Sequence, residues 1–379
     1  MRYVRFLKPP RITTDKGATK SHVFCLVTIT SDLGDSFFPH HVELAAELVS
    51  PERGGEMCVW RTVQWAAGMR SLAISLPLKK SYASRALRVR VGVEPKAQSD
   101  ALHDLSHPDA HGIVSAWSAD FNSPPNAGGA KLVQRRFTIG QAVVSVWEET
   151  GESIARHLWD AGITLAHHLS SLLPDSTHAL STALLPSPPN GTLNVLELGT
   201  GCGIVGITLA SLLPNCTVTL TDLPEAHDIV SANLSLSHST LAPGSLVSFA
   251  ELDWDAPLPP WLAESESKLD MVLAADCTYN PDSSPHPNCT HPHFPTHCSS
   301  HSVETAPRKR ARLLLAHGRR RVPRDGSLAL RPTGRHAVGG GEGRCACLPI
   351  QGLMFVAESF LFSSLLSPRS IFLGAELEV

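Results

Sequence analysis

The sequence predicts an α/β fold, a Rossmann-like, doubly wound, mostly parallel sheet, from three observations. The apolar run Leu193–Leu198 passes directly into the glycine-rich turn Gly199-Thr-Gly-Cys-Gly203. Strand-like and helical runs alternate from there to Ala275. Carboxylates stand at or just past the ends of the strands, at Glu197, Asp222, Asp253 and Asp276. Alternation of this kind builds a parallel sheet under its crossover helices. Ligands of such sheets bind outside the carboxyl ends of the strands, where these acids fall.

The chain has 379 residues, 42% of them hydrophobic, and a formal charge of -3. That length suggests roughly two domains of about 150 residues. The near-neutral charge does not call for nucleic acid and leaves a protein substrate open. There is no run of about 18 apolar residues to suggest a membrane span. The first residues lack the apolar core of a secretory signal, so a soluble chain of the cytoplasm, or of the nucleus as well, is expected. Nine cysteines in a chain this long do not suggest a disulfide scaffold.

Three zones follow. Residues 1–135 read as a strand-rich accessory region, with strands at Val23–Thr30, Leu72–Leu76 and Leu87–Val93. The last of these alternates apolar and basic residues, as a half-exposed strand does. Residues 97–111 read as a loop, and 122–129 as a Pro/Gly linker. Residues 136–282 form the core. A helix over 152–165 opens it, with Thr150 as N-cap and Glu152 at the positive end of the dipole. After a Ser/Pro-rich loop come strand Leu193–Leu198, helix Ile204–Leu213, strand Cys216–Thr221 and a helix that opens at Pro224. Strands Ser245–Leu252 and Leu269–Ala275 complete the run.

Residues 283–379 form an atypical C-terminal zone prone to disorder. It is rich in Pro, His and Cys, then carries basic clusters at Arg308–Arg312 and Arg319–Arg321. Leu313–Ala316 reads as a short strand, Phe355–Leu366 as a helix or strand, and Ile371–Val379 as a strand. Its Cys and His residues match no standard zinc spacing, so no metal is expected. The basic run fits a nuclear-import patch, or a plain solvated segment.

The glycines let the backbone turn sharply and approach a ligand, and the next helix presents its N-terminal N–H groups there. Gly201, Gly203 and Gly206 also satisfy the dinucleotide pattern G-x-G-x-x-G. Glu197 separates the two. A carboxylate at the end of a central strand is costly without a partner, and an amino-acid ammonium would supply one. Asp222 can accept both hydroxyls of a ribose, or simply cap the helix at Pro224. Asp253-Trp254 can hold an adenine, or be a core Trp beside exposed acids. Asp276 and Tyr279 stand where a reacting atom would lie, or serve as a helix cap and a rim aromatic.

Together these segments, with Trp147 to Gly162, resemble the seven-β-strand methyltransferases of the "family 16" group, the methyltransferase-like protein-lysine methyltransferases. The resemblance covers residues 147–282, and its hallmark is the D-x-x-Y of Asp276 and Tyr279. It implies S-adenosylmethionine as cofactor and a lysine, or an N-terminal amine, of a protein as substrate. It implies that Glu197 meets the methionine ammonium, that Gly199, Gly201 and Gly203 line the cofactor, and that Asp222 holds the ribose. Asp253 and Trp254 would flank adenine, Trp159 would close the site from the preceding helix, and Ala275 would border it. Asp276 and Tyr279 would orient the amine. Two rivals stay open: a small-molecule N-methyltransferase and a methyltransferase fold that only binds a partner. A nicotinamide-dependent oxidoreductase leaves Glu197 and the D-x-x-Y element without a role.

Overall fold

The computed structural model describes residues 1–14, 20–53, 55–82, 85–95, 97–105, 111–122, 131–150, 154–173, 191–254, 256–257, 259–263, 269–277, 313–315 and 353–357. The N-terminal part is built from strands. They are β1 (Arg2–Thr14), β2 (Ser21–Thr30), β3 (Val42–Ser50), β4 (Glu56–Trp65), β5 (Leu72–Pro77) and β6 (Arg88–Val93). Then come β7 (Asp100–Ala101), β8 (Ile113–Val114), β9 (Ala116–Ser118), β10 (Leu132–Ile139) and β11 (Ala142–Glu149). One sheet runs β5-β2-β1-β8; a second runs β11-β10-β9-β6-β3-β4, with β7 beside β10. The two enclose a core that includes Ile29, Leu44, Trp65 and Val89.

The hairpin β10–β11 joins the two halves. It belongs to the second N-terminal sheet, yet its Phe137, Ile139, Val144 and Val146 pack in the core of the following helices. The position 135/136 therefore falls inside a strand.

A parallel sheet follows, with β12 (Leu193–Leu198), β13 (Cys216–Asp222), β14 (Leu246–Glu251), β15 (Met271–Ala275), β16 (Leu313–Leu315) and β17 (Leu353–Ala357). Its order is β14-β13-β12-β15-β17-β16, and each neighbouring pair is parallel. The chain steps outward from β12 to β14, then returns to the other side of β12 at β15. The topological switch point thus lies between β12 and β15, where such sheets bind ligands. Leu193 and Val195 face a core shared with α1 (Asp160–Leu172), α2 (Ile204–Leu212) and α3 (His227–Ser237). Leu196 and Leu198 face Leu252, Trp254 and Leu262 on the other side. A strand buried on both faces reads as a continuous apolar run, as this one does. Among the described residues, that second face carries one short helix, α4 (Pro260–Ala263).

The opening helix begins later than its spacing suggests. Residues Ile154–Arg156 form a 3-10 turn, and α1 starts at Asp160 with Trp159 in the N-cap position, extended and without a side-chain cap. Thr150 does not cap it; its hydroxyl donates to Lys131 O at 2.9 Å. The cause is Glu148, whose carboxylate accepts the Leu158 N–H at 3.0 Å and holds that stretch out of the helix. Gly162 then lets α1 approach α2: a Cβ there would stand 3.0 Å from Ile204 Cγ2. Two further segments depart from expectation: within 97–111, Asp100–Ala101 is a strand and Leu102–Leu105 a helical turn. In the C-terminal zone, β16 and β17 are described; the expected strand Ile371–Val379, the Cys/His run and the basic clusters lie outside the described residues.

Candidate active site

The loop after β12 is shaped by its glycines. Gly199, Gly201 and Gly203 take φ of +56°, +55° and +81°, the left-handed region open to glycine at little cost. Gly203 is the N-cap of α2, so the loop delivers the chain directly into a helix whose first N–H groups face the sheet's carboxyl edge. Glu197, 2% exposed, accepts the N–H of Gly206 through Oε2 at 2.7 Å. Burial pushes its carboxyl up to about 8, helped by the charge of Asp222 and opposed by the nearby Thr200 hydroxyl and the Gly206 N–H. Among the described residues no cation pairs with it. A buried carboxylate of this kind is completed by an ammonium group, which is the fit expected for the amino-acid end of S-adenosylmethionine.

Asp222 ends β13 one strand away. Its Oδ2 accepts the N–H of Gly201 at 2.7 Å, and its Oδ1 the N–H of Leu223 at 2.8 Å. The carboxylate is thereby aimed along the rim of the glycine loop. Burial raises its pKa, against those two hydrogen bonds. Each carboxylate oxygen keeps a second lone pair for a hydroxyl. The helical segment after Asp222 has Leu223 as its N-cap, so capping is not what holds the acid.

Three strand ends converge on Gly199. A Cβ there would lie 2.8 Å from Cys277 Sγ and 3.3 Å from the Trp254 ring. Trp254 comes from the loop after β14, where Leu252 N–H donates to Asp222 O at 3.0 Å; Asp253 beside it is exposed. Ala275 closes β15, and Asp276 follows it with φ +59°. Asp and Asn are the non-glycine residues that adopt this conformation most readily, and Asn215 shares it. Tyr279 lies outside the described residues.

The segment before α1 backs the loop. A Cβ at Gly201 would lie 3.6 Å from Ala155 O and 3.7 Å from His157 O, and the Cys202 thiol donates to Arg156 O at 3.3 Å. Trp159, two residues on, donates its indole N–H to Ile154 O at 3.2 Å. Asn233 on α3 carries a role that its sequence context did not signal. Fully buried, its Nδ2 donates to Cys202 O at 2.8 Å and to Trp147 O at 2.9 Å, and its Oδ1 accepts Trp147 N–H at 2.6 Å. It pins the glycine loop to β11. Gly206 was legible only as part of a pattern; here any side chain would collide with Glu197.

The glycine loop, the buried Glu197 and the rim acid Asp222 thus lie together at the switch point, where sheets of this kind bind ligands. Residues 139–288 match the model of the lysine methyltransferase family, whose members use S-adenosylmethionine. A UPF0665 family protein of Schizosaccharomyces pombe is 26% identical over 68% of this chain and 74% of its own length. EEF1A lysine methyltransferase 3 of Mus musculus is 31% identical over 33% of this chain and 44% of its own. Protein-lysine N-methyltransferase EFM6 of Saccharomyces cerevisiae is 31% identical over 36% of this chain and 56% of its own. The chain thus spans about half the length of these two methyltransferases.

Proposed function

We propose that the whole chain is an N-methyltransferase that transfers a methyl group to a lysine side chain of a protein. The observation that carries this is Glu197, a buried carboxylate at the switch point with no cation beside it among the described residues, inside the stretch that matches the lysine methyltransferase family. S-adenosylmethionine supplies a methyl group on a positively charged sulfur. Glu197 then binds the ammonium of its methionine part. Asp222 accepts the ribose hydroxyls, and Trp254 with Asp253 borders adenine. Gly199, Gly201 and Gly203 allow close backbone approach, Ala275 borders the site, and Trp159 walls it.

We assign Asp276 and Tyr279 to the acceptor amine. The amine attacks only when neutral; a carboxylate that accepts its N–H groups orients its lone pair toward the methyl. Alignment supplies most of the acceleration in a reaction whose leaving group is already activated. The proposed architecture is doubly wound and Rossmann-like, with residues 136–282 as the catalytic unit and 1–135 as an accessory region that widens the surface for a protein. The C-terminal zone is proposed as an atypical segment whose β17 and β16 extend the sheet beyond β15.

Labelled S-adenosylmethionine and a protein extract test the proposal. Label recovered as methyl-lysine after hydrolysis supports it. Label recovered only in small molecules favours the small-molecule enzyme. Cofactor binding without transfer favours a binding module.

A further inference from the structure

We propose that Tyr3 and Glu148 are positioning residues for the cofactor site. Acting from the N-terminal sheets, they fix residues 155–160, the segment that backs the glycine-rich loop. The inference rests on the methyltransferase reading and extends it to Tyr3, which lies outside the family's match, and to Glu148, which lies near its start.

Two anchors, Tyr3 and Glu148, grip the segment on either side of Trp159, beside the Met1 amino group on Asp160 and Glu149 on Arg156. Glu148, fully buried on β11, accepts the Leu158 N–H through Oε2 at 3.0 Å. The Tyr3 hydroxyl, on β1, donates to Asp160 Oδ1 at 2.6 Å. One arginine ties the anchors together. Arg135 donates from Nε to Glu148 Oε1 at 2.8 Å and from Nη1 to Ser115 O at 2.8 Å. Its guanidinium also stands 5.5 Å over the Tyr3 ring. A second buried pair continues the network: Arg90 donates to Glu47 at 2.6 Å and to Ser115 Oγ at 3.2 Å. On its far side the segment presents the Ala155 and His157 carbonyls to Gly201 and the Arg156 carbonyl to Cys202.

The chemistry favours orientation over bulk stability. A buried ion pair is seldom better for stability than well-packed apolar residues, yet charge-assisted hydrogen bonds fix geometry tightly. Leu158 N–H stands just before a helix start, where donors lack intrahelical partners, and a carboxylate from another sheet meets it. The Tyr3 hydroxyl reaches across 157 residues of sequence to the first residue of α1. An anchored segment arrives at the cofactor already ordered, and pre-ordering raises affinity.

Calorimetric titration with S-adenosylhomocysteine tests this on the full chain, with Tyr3→Phe, Glu148→Gln, Trp159→Ala and the double variant Tyr3→Phe/Trp159→Ala. Tyr3→Phe keeps the ring under Arg135 and removes only the hydroxyl. It is expected to weaken binding at least fivefold, and Glu148→Gln to do the same, while each melts as a cooperative fold. In the Trp159→Ala background the Tyr3→Phe loss is expected to shrink below twofold, because coupled residues are not additive. Unchanged affinity in both single variants overturns the proposal, as does a full fivefold loss that persists without Trp159. If the wild-type chain binds no S-adenosylhomocysteine, the methyltransferase reading falls and this proposal with it.

Discussion

The backbone N–H of Gly201 donates to Asp222 Oδ2 at 2.7 Å, so the glycine loop and the acid at the end of β13 form one rigid rim. Asp222→Ala removes the acceptor of two backbone N–H groups, with an expected stability cost of about 1–3 kcal/mol. It also removes the proposed ribose acceptor, and affinity for S-adenosylhomocysteine should fall by roughly two powers of ten, or about 2.8 kcal/mol. Asp222→Asn leaves an amide oxygen for one N–H and should lie between the two. Denaturant titration and calorimetry on the same preparations check both effects.

Gly206→Ala should destabilise the chain through collision. Its Cβ would stand 2.5 Å from Glu197 Oε2, 2.5 Å from Leu220 Cδ2 and 2.8 Å from Val218 Cγ1. Overpacking of this kind costs about 1–3 kcal/mol. A lowered denaturation midpoint with an unchanged m-value is the expected outcome.

Asp276→Asn should separate chemistry from folding. Asn tolerates the left-handed backbone as well as Asp does, so the melting temperature should stay close to wild type. Methyl transfer to protein should fall about 10²-fold, as when a group that handles the reacting proton is lost. Equal loss of stability and transfer would point to a structural role instead.

Glu197 sets a pH dependence. In the folded chain its pKa is raised to about 8, from 4.5 for an unperturbed glutamate. Between those values the folded state holds a proton that the unfolded state has lost. Stability therefore falls as pH rises through that window, with a limiting slope of about 1.4 kcal/mol per pH unit. Below pH 4.5 both states are protonated, and above about 8 both are ionised, so the contribution is constant there. Glu197→Gln should flatten the profile relative to wild type. Binding an ammonium favours the ionised acid, so affinity in wild type should rise from pH 6 to 7.5 and the variant should not show that rise.

The catalytic sheet was largely legible because its signals are local. The run Leu193–Leu198 is buried on both faces, and the helix of Ile204–Leu212 starts where Gly203 ends the turn. The N-terminal sheets were far less so. Val42–Ser50 is rich in Glu, Leu and Ala, good helix formers, yet it is a strand. Pairing on both sides, with β4 and β6, and the partnering of Glu47 with Arg90 override local preference. The start of α1 was misplaced for a similar reason: Glu148 competes for the Leu158 N–H. Asn233 and the Tyr3–Asp160 contact join residues 86 and 157 positions from their partners, and no pattern in one sequence reports such distances.

The most direct test of the central claim is calorimetric titration of the chain with S-adenosylmethionine and S-adenosylhomocysteine, with NAD alongside and Asp222→Ala as control. Micromolar binding of both adenosyl compounds, none of NAD, and loss in the variant is the result expected. A cooperatively folded chain that binds neither adenosyl compound, or binds NAD instead, would contradict the account.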